Sequence, residues 1–278
     1  MEPHWGLMSD GPARLRAAFP GDRAALIPYV MGGFPSVAES LDYARALARH
    51  ADILELGIPF SDPLADGPTI QAAGQRALEA GTRPGDVIEI AKALRGGPPI
   101  VLMTYVTLVL TAGPAAFFAR AADAGVAGVI IPDLPIDEGA QIRAAAHTAG
   151  VAIVPLAAPT TTDERLRAIG ERADGFTYLV SVAGVTGGEV AVDDSLRAFV
   201  GRARGAIPGP LAVGFGIRTP AQAAAIGEFA DGIVIASQLV RIIEDASDHA
   251  EAVTALDRYG ADLAAALTGG RTGEATRR

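Results

Sequence analysis

Asp52-Ile-Leu-Glu-Leu-Gly-Ile-Pro-Phe-Ser-Asp-Pro-Leu-Ala-Asp-Gly-Pro-Thr-Ile-Gln71 is the stretch from which the fold of this chain is read. It opens as an apolar strand that carries one carboxylate, Glu55, among Ile53, Leu54, Leu56 and Ile58. A carboxylate in such a setting is costly unless paired or protonated, and its pKa tends to rise. The strand runs into a loop with Pro59, Pro63 and Pro68 and two further carboxylates, Asp62 and Asp66. Proline fixes φ, so this loop has a specified shape. Two carboxylates in unlike settings are one way to separate acid and base roles. The same residues also suit a structural ion pair beside a well-made turn.

A run of similar units extends on both sides of this stretch. Ala25–Val30 and Asp52–Gly57 are followed by strand candidates at Pro99–Thr104, Gly128–Ile131, Ala152–Leu156, Phe176–Val180, Leu211–Gly214 and Gly232–Ile235. Helical patterns alternate with them, among them Pro114–Ala124, Asp137–Ala149, Asp163–Arg172, Leu196–Arg204 and Pro220–Phe229. Ser36, with Glu39 three residues on, reads as a capping box for a helix to Arg49. A short helix, Ala13–Phe19, precedes the first strand and ends at Pro20-Gly21. Near-continuous apolar strands mark parallel strands covered on both faces. Eight strand–helix units without a linker predict an α/β fold: a single (β/α)8 TIM barrel over residues 1–278 with an extra N-terminal helix. A doubly wound sheet is the alternative. Residues 268–278 read as a flexible tail.

Composition narrows the function. A net charge of −9 disfavours nucleic acid, since no basic stripe is present to offset phosphates. No apolar run reaches the roughly 18 residues of a membrane span. The start, Met-Glu-Pro-His-Trp5, lacks a signal-peptide pattern, and cysteine is absent, so a soluble cytoplasmic protein is expected. The single lysine, Lys92, lies on the charged face of a helical pattern, a poor place for Schiff-base chemistry. His4, His50, His147 and His249 show no ligand spacing, so no metal and no cofactor are expected.

In such barrels chemistry collects where strands end and loops lead into helices. That places Glu55, Asp66, Asp133, Tyr29, Tyr105 and Tyr178 on one rim. The three tyrosines suit either substrate contact or core packing, and Asp133 suits either a substrate contact or a cap on the next helix. Glycine loops follow the sixth and seventh strands, Ser181–Gly188 and Gly214–Ile217, and Ala236-Ser237 follows the eighth. Glycine amides beside helix N-termini suit a phosphate. The glycine-rich Gly184–Asp194 reads as a lid.

Leu54–Gln71, together with Pro28-Tyr29, Leu102–Tyr105, Pro132–Pro135, Ala158–Thr160, Tyr178, Gly184–Gly187 and Gly214–Gly216, resembles the tryptophan synthase alpha subunit family across roughly residues 12–265. The resemblance implies a lyase that cleaves indole-3-glycerol phosphate to indole and glyceraldehyde 3-phosphate, in an α2β2 tetramer with a beta subunit that uses pyridoxal phosphate. It implies Glu55 and Asp66 as the catalytic pair, and substrate contacts at Tyr29, Tyr105, Asp133, Tyr178 and Thr186. It implies phosphate contacts at Gly187, Gly216, Ala236 and Ser237, and a partner-facing rim at Phe60, Asp62, Thr107 and Leu108, with Leu110 beside it. Retro-aldol cleavage through a protonated indole C3 needs neither an imine nor a metal. The chain departs from the family pattern at Ala236, where glycine is general, and at Thr107-Leu108, where asparagine, often with proline, is common. The second departure favours a free-standing lyase that releases indole as the alternative. A non-catalytic phosphosugar-binding barrel is a further one.

Overall fold

The computed structural model describes residues 10–180, 194–214 and 216–268. In chain order the elements are α1 (Gly11–Ala17), β1 (Ala25–Met31), α2 (Val37–Ala48), β2 (Leu54–Gly57), α3 (Pro68–Glu79), α4 (Pro84–Ala93) and β3 (Ile100–Met103). They continue with α5 (Val106–Ala112), α6 (Pro114–Asp123), β4 (Val126–Ile130), α7 (Ala140–Thr148), β5 (Ala152–Val154), β6 (Leu156–Ala157) and α8 (Asp163–Arg172). The last are β7 (Thr177–Val180), α9 (Asp194–Ala206), β8 (Leu211–Gly214), α10 (Pro220–Gly227), β9 (Gly232–Ile235), α11 (Ser237–Asp245) and α12 (His249–Leu267). All strand pairs are parallel, in the order β5-β4-β3-β2-β1-β9-β8-β7-β6.

β5 and β6 are one strand path interrupted at Pro155, which has no N–H to give a ladder. Its carbonyl accepts from the Tyr178 N–H at 2.9 Å, so the path changes partners, from β4 before the proline to β7 after it. This hand-over makes eight strand positions of nine segments and brings the two ends of the sheet together as a TIM barrel. The sequence expected one unbroken strand over Ala152–Leu156.

The strands are apolar on both faces because each face has its own core. Leu26, Leu54, Leu56, Leu102, Val129, Leu179, Val213 and Ile233 point outward and pack under the helices. Ile27, Tyr29, Met31, Val101, Met103, Val154, Phe176 and Val234 fill the barrel interior, with Leu15 of α1 among them. Glu55 sits in the inward register of β2, level with Tyr29 of β1 and Val101 of β3.

Local signals mostly hold, with two revisions. Ser36 caps α2 by accepting the Glu39 N–H, but the Glu39 carboxylate returns to the Ser36 hydroxyl at 2.6 Å, so half of the expected capping box forms. Residues 106–110, expected as a rim loop, form helix α5. Lys92 is exposed near the C-terminal end of α4. Among the described residues no helix is long and apolar enough to cross a membrane.

Candidate active site

At the C-terminal rim a cavity is lined by Tyr29, Glu55, Ala65, Asp66, Gly67, Ile70, Met103, Ile130, Pro132, Leu156, Tyr178, Val180 and Ala236. Glu55 is only 4% exposed, and its Oε2 has no hydrogen-bond partner among the described residues. Burial first, and then the charge of Asp66, pushes the Glu55 carboxyl up to about 8. The Asp66 carboxyl is pushed up to about 6 by burial, against the lowering effect of a hydrogen bond from Tyr105. Near neutral pH, Glu55 therefore carries a proton and Asp66 is mostly a carboxylate. The two charges repel, so they titrate as a coupled pair.

The shape of the Asp66 loop comes from a few side-chain bonds as well as its prolines. The Gln71 Nε2 on α3 donates back to the carbonyls of Pro63 (3.2 Å) and Asp66 (2.9 Å). The Tyr105 hydroxyl donates to Asp66 Oδ2 at 3.0 Å and accepts the Ala65 N–H at 3.3 Å. Sequence reasoning gave Gln71 no role. Its only signal was a polar side chain in the first turn of the helix that follows the loop.

Tyr29 and Tyr178 lie on either side of the carboxylates, and burial, their largest cause, raises both phenols well above the ordinary range. Each ring needs a glycine opposite. A Cβ at Gly57 would meet the Tyr29 hydroxyl, and one at Gly214 would meet that of Tyr178. The sequence gives these two strand-end glycines no such role, because nothing local marks the ring on the neighbouring strand. Met103, Ile130 and Leu156 add apolar walls suited to a flat aromatic group.

Asp133 is placed differently from expectation. Its Oδ1 accepts the Val106 N–H at 2.8 Å, so it caps α5, the helix before it, and it is absent from the cavity lining. At the rim's other side Ala236 lines the cavity and α11 starts at Ser237. Ala236, at φ −128°, lies outside the left-handed region that favours glycine, whereas Gly216, at φ +76°, lies within it. Thr186, Gly187 and nearly all of the Gly184–Asp194 segment lie outside the described residues.

The expected partner rim is revised as well. Phe60 is half-buried and stacks on Tyr105 with ring centroids 4.9 Å apart, and Leu108 packs against the outer core. Thr107 and Asp62 are exposed, and the apolar side chains presented to solvent are Leu64, 92% exposed, and Leu110, 55% exposed. Phe60 thus turns onto Tyr105 at the barrel mouth, and Leu108 turns under α5 onto the outer core.

A family model described as tryptophan synthase alpha chain matches residues 16–267. The tryptophan synthase alpha chain of Methanosarcina acetivorans is 47% identical over 236 residues, covering 84% of this chain and 86% of that one. That of Gloeobacter violaceus is 43% identical over 240 residues, covering 84% and 87%. Among solved structures, tryptophan synthase subunit alpha from Legionella pneumophila superposes with a TM-score of 0.85 at 32% identity, covering 94% of this chain and 99% of that one. A chain of Mycobacterium tuberculosis tryptophan synthase superposes with a TM-score of 0.84 at 37% identity, covering 94% and 99%. The chain belongs to the tryptophan synthase alpha chain family, whose members are lyases.

Proposed function

We propose that this lyase cleaves indole-3-glycerol phosphate to indole and glyceraldehyde 3-phosphate, with Glu55 as the acid–base group and Asp66 as the electrostatic partner. The protonated Glu55 delivers its proton to indole C3, which turns the ring into a cationic electron sink. Asp66, as the carboxylate, stabilises that cation from the side of the indole N–H. The Glu55 carboxylate then takes the proton of the glycerol hydroxyl on the carbon joined to the ring. The carbon–carbon bond breaks, its electrons return to the indole, and the aldehyde forms. Protonation of C3 and removal of the hydroxyl proton balance, and no external acid is consumed. Tyr29 and Tyr178 frame the ring, Tyr105 acts through its hydrogen bond to Asp66, and Thr186 is the expected contact from the segment after β7. Gly187, Gly216, Ala236 and Ser237 take the phosphate, the last at the N-terminus of α11, where helix amides favour an anion.

The observation that carries this reading is a pair of carboxylates in unlike settings in one largely apolar cavity, Glu55 buried with Oε2 unpartnered among the described residues and Asp66 held by the Tyr105 hydroxyl. The indole passes to a tryptophan synthase beta subunit, in an α2β2 assembly of the cytoplasm, docked on the rim that presents Asp62, Leu64, Thr107 and Leu110. The test is a turnover assay of the purified chain, with and without a beta subunit from the same source. Activation by the partner supports the paired enzyme. High turnover that ignores the partner supports a free-standing lyase, the reading that Thr107-Leu108 favours. Absence of turnover in both arms leaves a phosphosugar-binding barrel.

A further inference from the structure

Helix α5 has only seven residues, begins directly after Tyr105, and has neither a side-chain cap of its own nor an acidic residue in its first turn. So short a helix forms few hydrogen bonds against a costly nucleus, and one missing cap weighs heavily. The cap comes from elsewhere: Asp133, in the loop after β4, accepts the Val106 N–H at 2.8 Å. A carboxylate accepting a backbone amide at a helix N-terminus makes a charge-assisted bond favoured by the helix dipole. On the other flank, the Thr104 N–H donates to the carbonyl of Ile130, the last residue of β4, at 3.0 Å. The end of β4 thus grips the chain on both sides of Tyr105.

We propose that Asp133 is a positioning residue, which clamps the Tyr105 backbone through Val106 and thereby holds the Tyr105 hydroxyl on Asp66. The ring has little other freedom, being 2% exposed and stacked on Phe60. Its hydroxyl spans the β2–α3 loop, donating to Asp66 Oδ2 and accepting from Ala65 N–H. A direct substrate role for Asp133 is disfavoured, because its Oδ1 is committed to Val106 and its neighbour Pro132, not Asp133, lines the cavity.

The readout is the ionisation of Asp66, whose charge acts on Glu55 from β2, Tyr29 from β1, Tyr105 after β3 and Tyr178 from β7, with Asp133 adding its own charge at Tyr105. Asp66 is followed by carbon-13 carboxyl NMR titration of the whole chain, with kcat/KM against pH as a kinetic arm. Asp133→Ala loosens the bond that lowers Asp66, so its midpoint rises by about half a unit or more. On the acid limb kcat/KM then falls about threefold. Asp133→Asn keeps an acceptor oxygen and keeps the wild-type midpoint. Val106→Pro cuts the same bond from the donor side and reproduces the rise. Proline is at home in the first position of a helix, and Tyr105, at φ −113° and ψ 151°, already has the conformation that precedes proline. That variant carries the test should Asp133→Ala not fold. In combination with Tyr105→Phe, the Asp133 change adds no further shift, because both act through one bond.

An Asp66 midpoint unmoved in both Asp133→Ala and Val106→Pro overturns the proposal, as does a full additional shift in the double variant. The inference rests on the functional reading only in its kinetic arm. A wild-type chain without cleavage activity would defeat that reading while the NMR titration still decides the role of Asp133.

Discussion

Asp66 lies near enough to Glu55 for its charge to add to burial in raising the Glu55 pKa, so the pair loses its protons in sequence, at about 6 and about 8. In the proposed mechanism the active form of the free enzyme has Glu55 protonated and Asp66 ionised, and it is most populated between those values. The expected profile of kcat/KM is a bell with limbs near 6 and near 8. Asp66→Asn removes the neighbouring charge. The alkaline limb of its residual activity should therefore move to lower pH, and a limb that stays put or rises contradicts the coupling.

Tyr105→Phe works from the other side of the pair. The hydrogen bond it deletes is the one influence that holds Asp66 down against burial. The acid limb should move upward in pH, while the alkaline limb, set mainly by burial of Glu55, moves less. Equal movement of both limbs would point to a general disturbance of the site instead.

Glu55→Gln separates function from stability. Loss of the acid–base group should lower kcat by roughly 10²–10⁴. Stability should change in the opposite direction and with pH. The Glu55 pKa is about 8 in the folded chain against an ordinary 4.5, so the folded state holds the extra proton between those values. The stability tied to the protonated carboxyl is full below the ordinary pKa and is lost as pH rises through about 8. The glutamine variant has no such proton to lose. Denaturant titrations at pH 9 should find it more stable than the parent by on the order of a few kcal/mol, with the gap closing near pH 4. A gap of constant size across that range would mean that Glu55 does not titrate as described.

Leu64→Ser and Leu110→Ser test the partner rim. Both side chains are exposed in the isolated chain, so unfolding midpoints should change little. Affinity for a beta subunit should fall by about tenfold or more for whichever leucine lies at the centre of the contact. Calorimetric titration of the two variants measures it, with Lys92→Ala as a control remote from the rim. Unchanged affinity in both leucine variants would place the interface elsewhere.

The strands were readable because a strand buried on both faces is apolar throughout, and Ala25–Met31, Leu211–Gly214 and Gly232–Ile235 fall within a residue of their expected limits. Glu55 and Asp66 were readable for the converse reason, being charges where the local pattern calls for none. What escaped was set by distant partners. Val106-Thr-Leu-Val-Leu110 is rich in β-branched residues and favours extended chain by itself, but Asp133, 27 positions on, makes it a helix. The same holds for Gly57 and Gly214, whose need for a bare Cα comes from Tyr29 and Tyr178. The strand break at Pro155 was legible in principle, since proline cannot donate to a ladder on both sides. Helices α11 and α12 were given no limits from the sequence, although the eighth strand–helix unit calls for a helix after β9.

Lys92 is the chain's one lysine, and it sits near the C-terminal end of α4, where the chain turns down toward the start of β3. That end of the barrel faces away from the rim that carries Glu55 and Asp66. Apart from the amino terminus, an amine-directed linker has a single address on this protein, on the side opposite its working mouth. Anchored to a bead or a sensor surface through that address, every molecule would present its rim to the solution, open to substrate and to an arriving partner.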